Sequence, residues 1–74
     1  MSQRLPTITA REMVRILELL GFYRSRQKGS HAIYRHSDKR RTNVPMHPGD
    51  LPRGTMKQIL NDIQMSEEEL LKLL

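Results

Sequence analysis

The chain contains no cysteine and no tryptophan, and its aromatic residues amount to two tyrosines and one phenylalanine in 74 residues. Without cysteine neither a disulfide nor a thiolate metal site can supplement the core, and a reducing compartment, the cytoplasm, is expected. No stretch approaches the roughly 18 consecutive apolar residues that read as a membrane-spanning helix, and the opening "MSQRLPTITA" carries no apolar signal segment. A soluble protein without membrane contact is therefore expected. At 8.7 kDa the chain buries only a modest fraction of its surface, so we expect one domain over residues 1–74, a thin core and no deep cavity. Chemistry on such a chain has to work on an open surface, with a substrate that brings its own shape.

Acidic residues are scarce where basic ones gather. Residues 21–41 hold Arg24, Arg26, Lys28, Arg35, Lys39, Arg40 and Arg41 against Asp38 alone, a net of +6. Residues 58–74 reverse the sign, with Lys72 against Asp62, Glu67, Glu68 and Glu69, a net of −3. The whole chain carries +5 at pH 7, with a sequence pI of about 10.3. A concentrated positive field favours a polyanion, and nucleic acid is the commonest one. The simpler alternative is a solvated basic face that serves solubility.

Thr9-x-x-Glu12 reads as a capping box, in which each side chain satisfies the other residue's free backbone N–H. Met13, Ile16, Leu17 and Leu20 follow at helical spacing, and Gly21 offers a left-handed end. "FYRSRQK", "HAIYRH" and "RRTNVPMH" then read as three short antiparallel strands, separated by turns at Gly29-Ser30 and at Ser37-Asp38-Lys39. Alternation places His31, Ile33 and Arg35 on one face of the second strand and Ala32, Tyr34 and His36 on the other. Thr42, Val44 and Met46 share a face of the third, and Pro45 puts that strand at a sheet edge or already leaving the sheet.

After the loop "HPGDLPRGT", Met56, Ile59, Leu60 and Ile63 restore helical period. Pro52 in the first turn and a Thr55-x-x-Gln58 capping box are both compatible with the start of this helix. Ser66-x-x-Glu69 opens one more short helix with a leucine-rich end. The expected fold is α+β: helix, three-stranded antiparallel sheet, helix and a short C-terminal helix. Two helices then cover one sheet face and leave the other open. Double-stranded-RNA-binding domains use this α-β-β-β-α order, and an open basic sheet suits nucleic acid.

The chemistry-bearing stretch is "RQKGSHAIYRH", from Arg26 to His36, in the densest positive charge of the chain. Gly29 permits a positive φ or a close backbone approach, Ser30 adds a hydroxyl and an N–H, and Lys28 adds charge. Together these are parts for holding a phosphate. His31 beside them has a side chain able to move protons near neutral pH. RNA asks little of such a site, because its own 2′-OH can attack the adjacent phosphate without a metal or a protein nucleophile. On the residues alone, a lone histidine at a strand end is more often an ordinary surface or hydrogen-bonded polar group. His36, before a turn, is expected to be solvated, and His47 lies in a proline-rich loop.

His31, His36 and His47 match no compact metal-ligand spacing, so no metal is expected. A serine hydrolase lacks its G-x-S-x-G context, and the glycines show no phosphate-loop spacing. No cofactor is expected.

The helix ending in "LLGF", then "RQKGSHAIYRH", then "RRTNVPMHPGDLPRGTMKQIL" resembles the HicA family of toxin ribonucleases, from about Thr9 to Met65. The most specific parts are "GSH" with an aromatic residue three positions later, here Tyr34, and the order V-P-x-H-P-G…L-x-x-G-T-x-x-x-I-L. The resemblance implies a double-stranded-RNA-binding-domain-like fold, metal-independent cleavage of mRNA and inhibition by a HicB-like antitoxin. It implies that His31 is the catalytic residue. Lys28, Gly29, Ser30, Arg26 and Arg35 are assigned to RNA phosphate by their charge and position. His47, Tyr23 and solvent stay open as the second proton-transfer group. A non-catalytic RNA-binding module and an antitoxin-binding or other interaction protein are the alternatives. The small size suggests a monomeric free toxin.

Overall fold

A computed structural model describes residues 5–74; of the opening stretch read above for a signal segment, residues 1–4 lie outside the described residues. The order of elements is α1 (Ala10–Leu19), β1 (Tyr23–Lys28), β2 (His31–Arg35), β3 (Arg41–Pro45), α2 (Arg53–Ile63) and α3 (Glu67–Leu71). The fold is α+β with the expected layout, and among the described residues no helix is long and apolar enough to cross a membrane.

Helix α1 starts at the capping box. Thr9 Oγ1 accepts the Glu12 N–H at 3.1 Å, and Glu12 Oε1 accepts the Thr9 N–H at 3.0 Å. Its apolar stripe buries Ala10, Met13, Ile16 and Leu17. At its other end the Phe22 N–H donates to the Leu17 carbonyl and the Gly21 N–H to the Glu18 carbonyl, which satisfies two orphan carbonyls. That closure requires Gly21 at φ +95°, and a Cβ there would stand 3.0 Å from His36 Nε2. Phe22, thus turned inward, is buried and meets the His36 ring edge-on with centroids 5.0 Å apart. His36 is therefore not the solvated residue its sequence position suggested. It packs between Gly21 and Phe22 while its Nδ1 accepts the Asp38 N–H at 3.1 Å.

The sheet runs β1-β2-β3, antiparallel throughout, so β1 and β3 are both edges. Ala32 and Tyr34 of β2 and Thr42 and Val44 of β3 are buried, while His31, Arg35, Arg41 and Asn43 alternate outward. Buried Thr42 gives its hydroxyl proton to Asp62 Oδ2 of α2 at 3.0 Å. Helices α1 and α2 pack over β3. All six residues of β1 are exposed, so the two helices do not cover a full three-stranded face as expected. "YRSRQK" offers no aliphatic side chain to bury, and a register shift between Arg24 and Arg26 bends the strand further from regular pairing.

Pro52 occupies the N-cap of α2, with no side-chain cap bond, so the helix begins at Arg53. Neither expected start is adopted in full. Gln58 reaches forward to Asp62 Oδ1 instead of back to Thr55. Starting at Arg53 turns Met56, Ile59, Leu60 and Ile63 into the core, and the Arg53 guanidinium donates to the Leu5 carbonyl. Helix α3 has five residues, too few to persist alone. The Ser66–Glu69 capping box contributes about 1 kcal/mol, and fully buried Leu70 about 2 kcal/mol. Leu73 and Leu74 beyond it are exposed.

Candidate active site

Lys28 and His31 are cross-strand partners at the closed end of the β1–β2 hairpin, joined by Gly29 and Ser30. A two-residue hairpin of this kind needs a positive φ at its first central position, and Gly29 adopts φ +59°. Nothing lies within 4 Å of a Cβ built on Gly29, so its role is conformational rather than steric. Lys28, Gly29, Ser30 and His31 line one shallow depression of about 500 Å³ together with Ile33 and Asn43. Four of the six residues assigned from the sequence to the site thus converge.

The other two do so in part. Arg26 pairs with Ile33 and shares the His31 face, two pairs along the ladder. Arg35 lies at the other end of β2, four residues from His31 and hence about 13 Å along the strand. It pairs with Arg41 of β3 and Tyr23 of β1. The open face is therefore a basic ramp, with Arg35 and Arg41 at one end, Arg26 between, and Lys28 and His31 at the other. Tyr23 belongs to the far end, away from His31.

His47 does not. His31 faces Pro45 across the β2–β3 ladder, and the Met46 N–H extends that ladder to the Ser30 carbonyl at 2.6 Å. The chain leaves the sheet with His47 next to His31, ring centroids 6.4 Å apart and planes at 83°. Past Gly49, at φ +86°, the chain is caught again by the segment before α1. Asp50 bridges to Thr9 and accepts the Thr7 hydroxyl at 2.7 Å, and the Leu51 N–H donates to the Ile8 carbonyl at 2.8 Å. Both flanks of His47 are thereby held by backbone.

His47 lines a second depression of about 520 Å³ with Thr9, Ala10, Arg11, Met46, Pro48 and Gly49. His31 lines one open recess, which carries Lys28, and His47 lines another, which carries Arg11. Both histidines are exposed. Arg11, Asn43 and Arg41 were not singled out from the sequence. Strand alternation and the hairpin register could have found Asn43 and Arg41, whereas Arg11 approaches only through the tertiary closure of the loop. Among the described residues no three His, Asp or Glu side chains are grouped to hold a metal ion.

The charges nearest the second hairpin serve the fold. Arg40 Nε donates to Asp38 Oδ2 at 2.8 Å, its Nη1 donates to the Ile63 carbonyl at 2.5 Å, and the guanidinium lies 5.1 Å from the centre of the Phe22 ring. The Arg40 backbone N–H, followed by its side chain, holds the Asp38 carboxyl below its ordinary range. On the covered face, burial first and Glu18 second push the Tyr34 phenol up, against a smaller opposite effect of Arg24.

Comparison with known proteins bears on the same residues. No curated protein sequence matches the chain. The family described as "HicA toxin of bacterial toxin-antitoxin" matches residues 10–65, a span that runs from α1 to the turn after α2 and includes both histidines of the pair. The chain belongs to the HicA toxin family, the toxins of bacterial toxin–antitoxin pairs.

Proposed function

We propose that the protein is the toxin of a type II pair and a metal-independent endoribonuclease that cleaves mRNA in the cytoplasm, as a single domain of residues 1–74, with His31 as the catalytic residue. The observation that carries this reading is the position of His31. It stands exposed at the mouth of a lysine-bearing depression, at the end of an uncovered basic sheet, in a chain that belongs to this family.

Phosphate contacts from Lys28, Arg26 and the backbone at Gly29 and Ser30 gather an RNA strand onto the open face; Arg35 extends the track. The 2′-OH of the RNA supplies the nucleophile, so the protein has to orient the linkage, move protons and stabilise the charge of the phosphorane. His31 moves one proton, and Lys28 stands where that negative charge grows.

A HicB-like antitoxin would complement the basic face electrostatically and cover His31, so that RNA and antitoxin compete for one surface. The test is incubation of the purified chain with RNA in excess EDTA. Cleavage by the wild type and none by His31→Ala is expected. Intact RNA with the wild type, with salt-sensitive binding retained, would instead indicate a non-catalytic RNA-binding module.

A further inference from the structure

We infer that His47 is the second proton-transfer group of the site, paired with His31 across one phosphodiester. The inference rests on the endoribonuclease reading and names the residue which that reading leaves open.

Cleavage by the 2′-OH needs two proton movements. One imidazole takes the 2′-O–H proton as the 2′-oxygen bonds to phosphorus. The P–O5′ bond breaks, and the departing oxygen takes a proton from a second group that begins the step protonated. The products are a 2′,3′-cyclic phosphate and a 5′-hydroxyl, and the two groups have exchanged protonation states, to be reset by solvent. A group for each role has to reach a different oxygen of the same phosphate at about 2.6–3.2 Å.

Ring centroids 6.4 Å apart allow both rings to reach oxygens of one phosphate when they approach it at an angle from the same side rather than end to end. The edge-to-face arrangement lets the two rings address a ligand from different directions. His47 also has the fixed position that a proton-transfer group needs. Its strand-side neighbour Met46 is bonded to Ser30, in the turn that presents His31, and the chain beyond it is tied at Asp50 and Leu51. Tyr23, the other side chain considered for the role, pairs with Arg35 at the far end of β2.

Lys28 of β1 lines the recess of His31, and Arg11, in the first turn of α1, lines that of His47, while Asp50, three residues beyond His47, has its carboxylate engaged by Thr7. Two cations and one occupied carboxylate favour an anion between the recesses.

The experiment compares wild type, His31→Ala, His47→Ala and His47→Gln in single-turnover cleavage from pH 5 to 9 with EDTA present. It uses an RNA oligonucleotide that the wild type cuts and its analogue with sulfur in place of the bridging 5′-oxygen at that linkage. Sulfur departs without a proton, so the analogue restores a variant that lacks only the general acid. We expect a bell-shaped profile for the wild type. Each histidine variant should lose about 10²-fold or more and one limb of the bell, and the analogue should rescue one of the two alanine variants and not the other.

Wild-type rates in both His47 variants, with His31→Ala inactive, would overturn the role of His47 and leave that of His31 standing. Slow His47 variants that keep both limbs, with neither alanine variant rescued, would make His47 structural and also overturn the pairing. RNA left intact by the wild type would overturn the pairing and the ribonuclease reading together.

Discussion

His31 at the first position of β2 and His47 in the loop after β3 stand edge to face, with 6.4 Å between ring centroids. The β2–β3 register sets that distance, because His31 faces Pro45 and the chain needs only two more residues to bring His47 alongside. A shift of one residue would carry His31 to the covered face and part the two rings. Packing of Val44 and Thr42 on the core side thus determines the geometry of the open side.

Binding of RNA through Lys28 and Arg26 should appear in its salt dependence. Each phosphate contact to a single strand contributes about 0.7 to the slope of log K against log salt. Lys28→Gln and Arg26→Gln should each lower the slope by about that amount, whereas Lys72→Gln, just past the acidic C-terminal helix, should leave it unchanged. Affinity titrations over a range of salt concentrations check this, and identical slopes for all four proteins would contradict it.

Arg40 fastens the second hairpin to the end of α2 through Asp38, the Ile63 carbonyl and the face of Phe22. Hydrogen bonds of a charged donor are each worth about 1.5–3 kcal/mol. Part of that is lost to solvent screening at the exposed Asp38 end. Arg40→Ala should therefore destabilise the protein by about 2 kcal/mol, a fall in Tm on the order of 10 °C in a chain of this size. Arg40→Lys should recover only a minor part, because an ammonium lacks the planar fork that serves two acceptors. Thermal unfolding measures both, and an unchanged Tm for Arg40→Ala would refute the fastening.

Tyr34 makes stability fall at high pH. Its phenol is pushed above the ordinary 10.0 in the folded state, chiefly by burial, so the unfolded chain gives up the proton first. The contribution is fully present below pH 10.0 and is lost as pH rises through the higher folded value. Tyr34→Phe should change stability at pH 7 by no more than about 1.5 kcal/mol and flatten the alkaline decline. Denaturant midpoints at pH 7 and above pH 10 test the point. Parallel declines in the two proteins would show that other groups carry it.

Local signals made most of this fold legible in the sequence. The Thr9–Glu12 and Ser66–Glu69 boxes, Gly21 past the helix end, Gly29 in the first hairpin and the alternation through Ala32, Ile33 and Tyr34 each act over a few residues, and each appears where expected. The turn and its charged neighbours made His31 a candidate, and only the resemblance to the HicA family singled it out.

What the sequence concealed depends on tertiary closure. His36 is packed by Phe22 and Gly21 from the preceding connection, so its position before a turn was a poor guide to its exposure. Pro52 caps α2 because the chain arrives extended from Leu51, which is itself bonded to Ile8. The approach of His47 to His31 required both a strand register and the clasp of Asp50 on Thr7 and Thr9. No spacing rule along the chain encodes a pair assembled in that way.

The most direct measurement is the chemistry of the RNA ends. Wild type and His31→Ala should be incubated with one RNA and with DNA of the same sequence in excess EDTA, and the termini identified by mass. His31 is exposed, so its replacement should change stability by less than about 0.5 kcal/mol and lower the cleavage rate by about 10²–10⁴-fold. RNA fragments ending in 2′,3′-cyclic phosphate and beginning with 5′-hydroxyl are expected, with the DNA left intact. Intact RNA, equal cleavage by folded His31→Ala, or fragments beginning with 5′-phosphate would contradict the proposed mechanism.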